Sequence, residues 1–304
     1  MKRKSYTSIF KFYIILFALT FSAVITGCSE EDDYIFSVEQ NVEAENAASK
    51  NSNEGMNLSA ESFYYLSSIA SGVSITSNSC PLICVNSSQG NGGTVYTITV
   101  DYGTTPCESL FDGIRRSGKY QINGFINTAH DSIYGSLVFP TNSPLRIYRI
   151  CDGTDTNFAQ ICGTNVVYGK KTVSQNLTYA GMFLINNTFT ANYGQPKNFN
   201  LSISVNAEFN DPYSPNDDVF ILTGNGSVTD NCHGLELSFS IQDNMKKTGY
   251  FRYPTKGKIG LQRQNSQVPV TFVDFYPDNE SNDDVVIVSR GSFTKTFYLE
   301  SASQ

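Results

Sequence analysis

Closely spaced carboxylates are the groups of this chain that could do chemistry. Asp211, Asp217 and Asp218 lie in one loop that also contains Pro212 and Pro215. A loop rich in Asp and Asn can supply the oxygen ligands that calcium requires, and two carboxylates at a fixed separation can hydrolyse a glycosidic bond. Asp and Asn are also common turn formers. The sequence leaves these three interpretations open and favours the turn, and it suggests no cofactor other than calcium.

His130, Asp131 and Ser132 supply the residue types of a hydrolytic triad. Consecutive residues point in different directions, however, and the members of a triad normally come from distant parts of a sequence. The chain has only two histidines, and the second, His233, stands between Cys232 and Gly234. We therefore predict that both histidines lie in surface turns, and we assign no catalytic residue.

The balance of charge excludes one class of partner. The chain contains 28 acidic and 21 basic residues, a formal net charge of −7, and four of the basic residues lie within the first eleven positions. A nucleic-acid-binding protein needs a basic surface that displaces the counterions of phosphate. We therefore expect no nucleic-acid partner.

Alternating apolar and polar residues predict the strands that must position these groups. Apolar side chains occupy every second position from Phe199 to Phe209 and from Leu235 to Ile241, a period that places one face of a strand on a core. Shorter runs recur between residues 94 and 299, separated by turn residues. We predict that residues 73–304 form a mainly β domain, an antiparallel β-sandwich or flattened barrel, with disulfide bonds.

Residues 28–72 have a different composition. From Glu30 to about Gly55 the chain is rich in Glu, Asn, Ser and Ala and poor in apolar residues, which is typical of a flexible or partly helical tether. The segment Ser59–Ile69 begins with a residue suited to a helix N-cap, and it predicts one short helix.

The N-terminus has the pattern of a secretory leader. The basic tip Lys2–Lys4 precedes an apolar run from about Phe12 to Val24, which is too short to span a bilayer but suits a signal peptide. The run ends at Ile25-Thr26-Gly27-Cys28, which resembles the lipobox of bacterial lipoproteins. The resemblance implies that residues 1–27 are removed and that Cys28 is acylated, for example with palmitate, and anchors the chain in a membrane. A conventional signal peptide followed by an incidental Cys is the alternative.

Acidic residues follow this Cys directly. The residues are Ser29, Glu30, Glu31, Asp32 and Asp33, and they resemble the surface-export signal of Bacteroidota lipoproteins. The resemblance implies an outer-membrane location in which the β domain faces the cell exterior. A solvated acidic tether is the alternative, as it is for most runs of charge.

Short motifs in the body of the chain are similar to those of uncharacterised Bacteroidota lipoproteins with an all-β body. The motifs are Cys80-Pro81, Thr97–Gly103 (TITVDYG), Cys107, Asp112-Gly113, Arg116–Lys119 (RSGK) and Asp217–Phe220 with Thr223-Gly224. The chain lacks two further cysteines that the pattern has near its end. The resemblance implies a fold and a location, and it carries no activity.

Six cysteines remain when Cys28 is set aside, and an oxidising periplasm favours disulfide bonds between them. The family resemblance implies a Cys80–Cys107 bond. The separation of 11 residues favours a second bond, Cys151–Cys162, across a hairpin, which leaves Cys84 and Cys232 for a third. Zinc ligation is the alternative, but no C-x-x-C pair supports it.

Two classes of function are compatible with this pattern. The favoured one is a non-catalytic envelope lipoprotein that binds an unidentified glycan or protein or has a structural role, and the alternative is a surface hydrolase that uses carboxylates. Glycan binding needs exposed aromatic side chains, and most of the Tyr residues are predicted to pack in strands, among them Tyr64, Tyr65, Tyr213, Tyr250 and Tyr253.

Asp131-Ser132-Ile133 also resembles an O-glycosylation motif of exported Bacteroidota proteins, which makes Ser132 a candidate acceptor.

Overall fold

The computed structural model describes residues 29–148, 158–172, 177–191, 196–210, 214–231, 234–249, 253–264, 267–275 and 285–298. These residues contain a long helix, α1 (Ser29–Ala70), a 3-10 helix (Pro215–Asp217) and sixteen strands. The strands are β1 (Leu82–Gly90), β2 (Gly93–Asp101), β3 (Cys107–Glu108), β4 (Arg115–Ser117), β5 (Lys119–Asn127), β6 (Ser132–Val138), β7 (Leu145–Tyr148), β8 (Phe158–Lys171), β9 (Leu177–Ala191), β10 (Lys197–Phe209), β11 (Val219–Asp230), β12 (Leu235–Thr248), β13 (Lys256–Arg263), β14 (Thr271–Phe275), β15 (Val285–Arg290) and β16 (Phe293–Tyr298). Within the described residues, no helix is both long enough and apolar enough to cross a membrane.

All of these strands belong to one antiparallel sheet. Its order is β1-β2-β5-β6-β8-β9-β10-β11-β12-β13-β14-β15-β16, with β3, β4 and β7 forming a branch that joins β8. The prediction of a mainly β, antiparallel fold is confirmed, and both strongly alternating segments lie in strands, β10 and β12. The sheet is single and does not close on itself, because β1 and β16 each pair with one neighbour.

The helix is much longer than the sequence pattern predicts. It covers Ser29–Ala70, whereas the pattern predicts a short helix over Ser59–Ile69 and a tether before it. The chain divides into two units, the second of which is Glu45–Gln304 and contains the C-terminal part of α1 together with all the strands. The helix ends at Ala70. Gly72 follows with a φ of 82°, and the Val73 amide donates to the Ser68 carbonyl oxygen at 2.9 Å, as in a Schellman cap.

Aromatic packing joins α1 to the inner face of the sheet. Phe63 is fully buried, and its ring centroid lies 5.8 Å from that of Tyr179, 5.6 Å from that of Phe183 and 5.9 Å from that of Phe209. These three partners lie on the adjacent strands β9 and β10. Phe63 therefore anchors α1 to the middle of the sheet.

Two glycines allow the helix to approach the sheet closely. A Cβ atom at Gly135 on β6 would clash with Leu66, and a Cβ atom at Gly169 on β8 would clash with the Phe63 ring. The clash at Gly169 involves a rigid ring, so a side chain there would displace Phe63, whereas the clash at Gly135 involves the end of the Leu66 side chain. The backbones of β6 and β8 consequently lie directly against the helix.

The sheet also contacts an earlier turn of α1 through charged groups. The buried carboxylate of Glu45 accepts hydrogen bonds from Arg263 Nε at 3.2 Å, from Thr271 and from Arg290. These three residues belong to β13, β14 and β15. Since α1 contacts strands from β5 to β15, the sheet must bend around the part of α1 that begins at Glu45.

One disulfide bond is present among the described residues. Cys80 and Cys107 are bonded, with Cα atoms 6.2 Å apart, as the family resemblance implies, and the bond ties the segment before β1 to β3. A bond of this type commonly contributes about 2–4 kcal/mol. Cys84 and Cys162 have exposed free thiols; their predicted partners, Cys232 and Cys151, lie outside the described residues, so those two pairings stay predictions.

Replacing Phe63 with Ala should lower the free energy of unfolding by about 3–5 kcal/mol, because it removes a fully buried aromatic ring and leaves a cavity. Guanidinium denaturation of the oxidised mature chain measures the change. Tyr298→Ala is a suitable control, since Tyr298 is 79% exposed and its loss should change stability by no more than about 0.5 kcal/mol. Equal midpoints for the two variants would contradict the burial of α1 in the core.

Candidate binding surface

The carboxylates that the sequence groups together occupy different environments. Asp217 is exposed at the end of the 3-10 helix, and Asp218 is fully buried. The Asn210 side chain donates to the Asp217 carbonyl oxygen at 2.7 Å, and Ser214 Oγ accepts from the Asn216 amide at 3.4 Å, which is turn chemistry. Asp211 lies outside the described residues. The described part of the chain contains no group of three or more His, Cys, Asp or Glu side chains that could hold a metal.

His130 and its neighbours form a turn, not a triad. His130 has a φ of 55° and its Nδ1 lies 3.2 Å from the Ala70 carbonyl oxygen. Ser132 Oγ donates to Asp131 Oδ1 at 3.0 Å, and Asn127 Oδ1 accepts from the amides of Asp131 and Ser132. Asp131 therefore orients the hydroxyl of Ser132, the candidate glycosylation site, and does not orient His130. His233 lies outside the described residues.

The acylation and export residues fall at the edge of the described chain. Residues 1–27 and Cys28 lie outside the described residues, and Ser29–Asp33 are the first residues of α1. The structure consequently leaves the lipid anchor and the export signal as predictions.

Three of the tyrosines considered for glycan binding, Tyr64, Tyr65 and Tyr253, are buried and are not surface platforms. The prediction that they pack in strands is wrong, because Tyr64 and Tyr65 lie in α1 and Tyr253 lies between β12 and β13. Tyr213 and Tyr250 lie outside the described residues. The large side chains that are exposed on the sheet are different residues, described next.

A row of large side chains crosses the outer face of five neighbouring strands. Inter-strand register pairs Val95 (β2) with Phe125 (β5), Phe125 with Tyr134 (β6), Tyr134 with Tyr168 (β8), and Tyr168 with Met182 (β9). Phe125 is half-buried, and the other four are between 39% and 45% exposed. We call these five residues the aromatic stripe. Contiguous exposed apolar side chains of this kind commonly mark an interaction site.

The surroundings of the stripe are almost free of charge. At the outward positions two residues before and after each stripe residue in the described strands, Lys170 is the one charged side chain. The flanking side chains on one side of the first three strands are Thr97, Asn123 and Ser136. A chain with a net charge of −7 therefore presents here an outer face of aromatic rings that is bordered by hydroxyl and amide groups on the first three strands and by Val166 and Leu184 on the next two.

Sequence reasoning missed the stripe although its signal is present. Phe125, Tyr134 and Tyr168 each stand between residues that are buried, such as Gly135 beside Tyr134 and Gly169 beside Tyr168. Alternation alone places them on the outer face. What it does not give is the order of the strands, which brings the three rings together.

A cluster of polar side chains is buried on the inner side of the sheet, around Glu61 of α1. Glu61 Oε1 accepts hydrogen bonds from Tyr65 at 2.9 Å, Tyr102 at 3.2 Å and Ser109 at 3.2 Å. Glu61 Oε2 lies 3.9 Å from Arg116 Nη1. All of these groups are inside the protein, and together they fix one turn of α1 against the segment from β2 to β4.

Arg116 is neutralised by a second carboxylate. Its two terminal nitrogens donate to Asp112 at 2.8 and 2.6 Å, a bidentate geometry that suits guanidinium. Burial is the largest single effect and raises the pKa of Asp112, but the charge and hydrogen bonds of Arg116, the charge of Lys247 and the Ile114 amide together hold that pKa below its ordinary value. For Glu61 burial prevails over Arg116, and the pKa of the carboxyl is raised.

Lys247 of β12 belongs to the same buried region. Its Nζ lies 5.8 Å from the centroid of the Phe111 ring, and its side chain is fully buried. Burial lowers the pKa of Lys247 to about 8, against the opposing charges of Asp112 and Glu54.

A cavity of about 290 Å³ adjoins this cluster. Tyr65 lines the cavity and also donates to Glu61, so it separates the cavity from the carboxylate. The described residues that line the cavity are apolar, aromatic or hydroxylic, and none is charged. The Glu61 carboxylate thus lies behind the Tyr65 side chain, where it holds α1 in position.

No protein-family model, curated protein or solved structure matches this chain.

Replacing Lys247 with Met should remove a pH-dependent contribution to stability. Because its pKa is about 8 in the folded state and near 10.5 in the unfolded state, the unfolded chain binds more protons between these values, and stability should rise with pH across that window. The advantage of the variant over the wild type should therefore shrink by roughly 3 kcal/mol from pH 8 to pH 10.5, at about 1.4 kcal/mol for each pKa unit.

Denaturation at a series of pH values from 7 to 10.5 measures this difference, with Lys246→Met on the exposed side of the same strand as the control. If the difference between Lys247→Met and wild type does not change with pH, Lys247 titrates normally and the burial argument is wrong.

Proposed function

We propose that this chain is a lipid-anchored protein of the cell envelope, displayed on the outer surface, that binds an uncharged glycan without catalysing a reaction. The observation that carries the binding proposal is the aromatic stripe. It places aromatic rings at solvent on adjacent strands, at positions where an antiparallel sheet of a water-soluble domain usually carries polar side chains.

The chemistry of the stripe suits sugars better than other ligands. Aromatic rings offer flat apolar faces that can stack on the C–H faces of a pyranose ring, while the side chains of Asn123 and Ser136 beside them can exchange hydrogen bonds with its hydroxyl groups. A phosphorylated, nucleic-acid or strongly acidic ligand needs a cluster of positive charge. Lys170 is a single cation, so an uncharged ligand fits this surface best.

The anchor is proposed from the sequence. The lipobox-like residues Ile25–Cys28 and the acidic residues Ser29–Asp33 support acylation and export. A domain held at the cell surface in this way would meet glycans of the medium or of neighbouring cells. The alternative function, hydrolysis by the loop carboxylates, receives no support from Asp217 and Asp218, since one is exposed and the other is buried.

Cys28→Ala should abolish membrane attachment, because acyl chains on this residue supply the apolar area that holds the domain at a bilayer. The wild-type chain should incorporate radiolabelled palmitate and fractionate with membranes, and the variant should do neither. Cys84→Ala, which removes an exposed thiol, should behave as wild type. An unmodified Cys28 in the mature N-terminal peptide, seen by mass spectrometry, would contradict the anchor.

Tyr168→Ala should weaken glycan binding at least tenfold, because the ring is one of the three adjacent aromatic rings in the interior of the stripe. Affinity electrophoresis or calorimetry with soluble neutral polysaccharides measures the effect. Tyr298→Ala is the matched control, since Tyr298 is an exposed strand tyrosine on β16, outside the stripe. Equal effects of the two substitutions would show that the stripe is not the binding surface.

A further inference from the structure

We infer that the ligand is a single extended chain of uncharged, β-linked sugars that crosses the strands at right angles, with one sugar over each strand; this inference rests on the proposed function. It assigns an orientation, a chain form and a length to a ligand that the proposed function names only as a glycan.

The direction follows from the register of the sheet. The five residues of the stripe are register partners from Val95 to Met182, so the row runs perpendicular to the strands. On β5 and β6 the outward neighbours of the stripe residues are polar, as at Asn123 and Ser136. A ligand that lay along any one strand would meet at most two large apolar side chains, as at Met182 and Leu184 of β9, whereas a ligand across the strands meets all five.

The spacing agrees with a sugar chain of extended form. Neighbouring strands of a sheet lie about 4.8 Å apart, which is close to the length of one pyranose residue in an extended β-linked chain. Five strands therefore present one side chain to each of five consecutive sugars over roughly 19 Å. An α-linked chain coils, so its successive sugars turn away from a straight row.

The charge of the surface limits the class of sugar. Thr97, Asn123 and Ser136 border the row on one side, and Val166 and Leu184 border its other strands. Uronic-acid or sulfated chains would place an anion at every repeat against this face, where Lys170 is the one cation beside the stripe in the described strands. Neutral sugars therefore match this nearly uncharged surface.

The backbone under the stripe is held in place before ligand arrives. Gly135 and Gly169, which follow Tyr134 and Tyr168 directly, lie against Leu66 and Phe63 of α1. Because the rings project from strands already fixed to the core helix, little backbone ordering accompanies binding. Since the sheet twists and bends around α1, the stripe suits one soluble chain and not the flat face of a crystalline fibre.

The test is isothermal titration calorimetry of the mature domain with β-1,4-linked glucose and mannose oligosaccharides of two to eight units. We expect affinity to increase up to about five sugars and then to level off. A six-unit α-1,4-linked glucose chain should bind at least tenfold more weakly than its β-linked counterpart. Crystalline cellulose should not retain the protein.

Variants at the end of the row make the orientation testable. Val95→Ala should lower the affinity for a six-unit chain about threefold and leave the affinity for a three-unit chain unchanged, because three sugars can bind to the three aromatic rings without reaching Val95. Tyr168→Ala should weaken both, and Tyr298→Ala should weaken neither. Near-native thermal melting of each variant establishes that these exposed substitutions leave the fold intact.

The outcomes separate this inference from the function on which it rests. Binding that depends on Tyr168 but not on chain length beyond three sugars, or that is equal for α- and β-linked chains, overturns the extended-chain inference and leaves the glycan-binding function standing. Absence of binding to every oligosaccharide overturns both, as does a dimer in analytical ultracentrifugation that Tyr168→Ala disrupts.

Discussion

The burial of a polar helix inside a sheet is the constraint on which the rest of this structure depends. From Glu45 to Ser68 the inward surface of α1 includes Glu, Asn and Ser side chains at little or no exposure. Desolvating such groups costs free energy unless each finds a partner. The sheet supplies partners at several levels of the helix, with Thr271 and two arginines at Glu45, Asn165 at Gly55 and Ser59, and Arg116 with its hydroxyl neighbours at Glu61.

These polar contacts fix the position of the helix more than they add to stability. A buried ion pair gains little over a well-packed apolar pair, but breaking one leaves an uncompensated charge. Glu45 and Glu61 are 16 residues apart in the helix, about 24 Å along its axis. A rotation or slide of α1 would disrupt both at once, so the Phe63 ring and the glycines under it can meet in one register only. The side chains on the outer face are fixed as a result, since Tyr134 and Tyr168 project from strands that pack against the helix.

The strands could be predicted from the sequence because their signal is local. The alternation between Phe199 and Phe209 is a property of consecutive residues, and the structure places a strand there. The length of α1 could not be predicted, because its polar residues lack the apolar stripe that marks a surface helix, and burial in a polar interior leaves no such pattern. The turn role of Asp217 and His130 follows from residue type. The buried cluster around Glu61 could not be predicted, since Asp112 and Arg116 lie about 50 residues further along the chain. The aromatic stripe could not be predicted either, because it depends on the order of the strands in the sheet.

The contacts of Glu45 also constrain when this fold can form. Its partners Arg263, Thr271 and Arg290 lie between 218 and 245 residues further along the chain. During synthesis Glu45 is therefore made long before the two arginines on β13 and β15 that neutralise its carboxylate. Contacts of such long range slow folding, and the end of the core around Glu45 cannot form until β15 has been made.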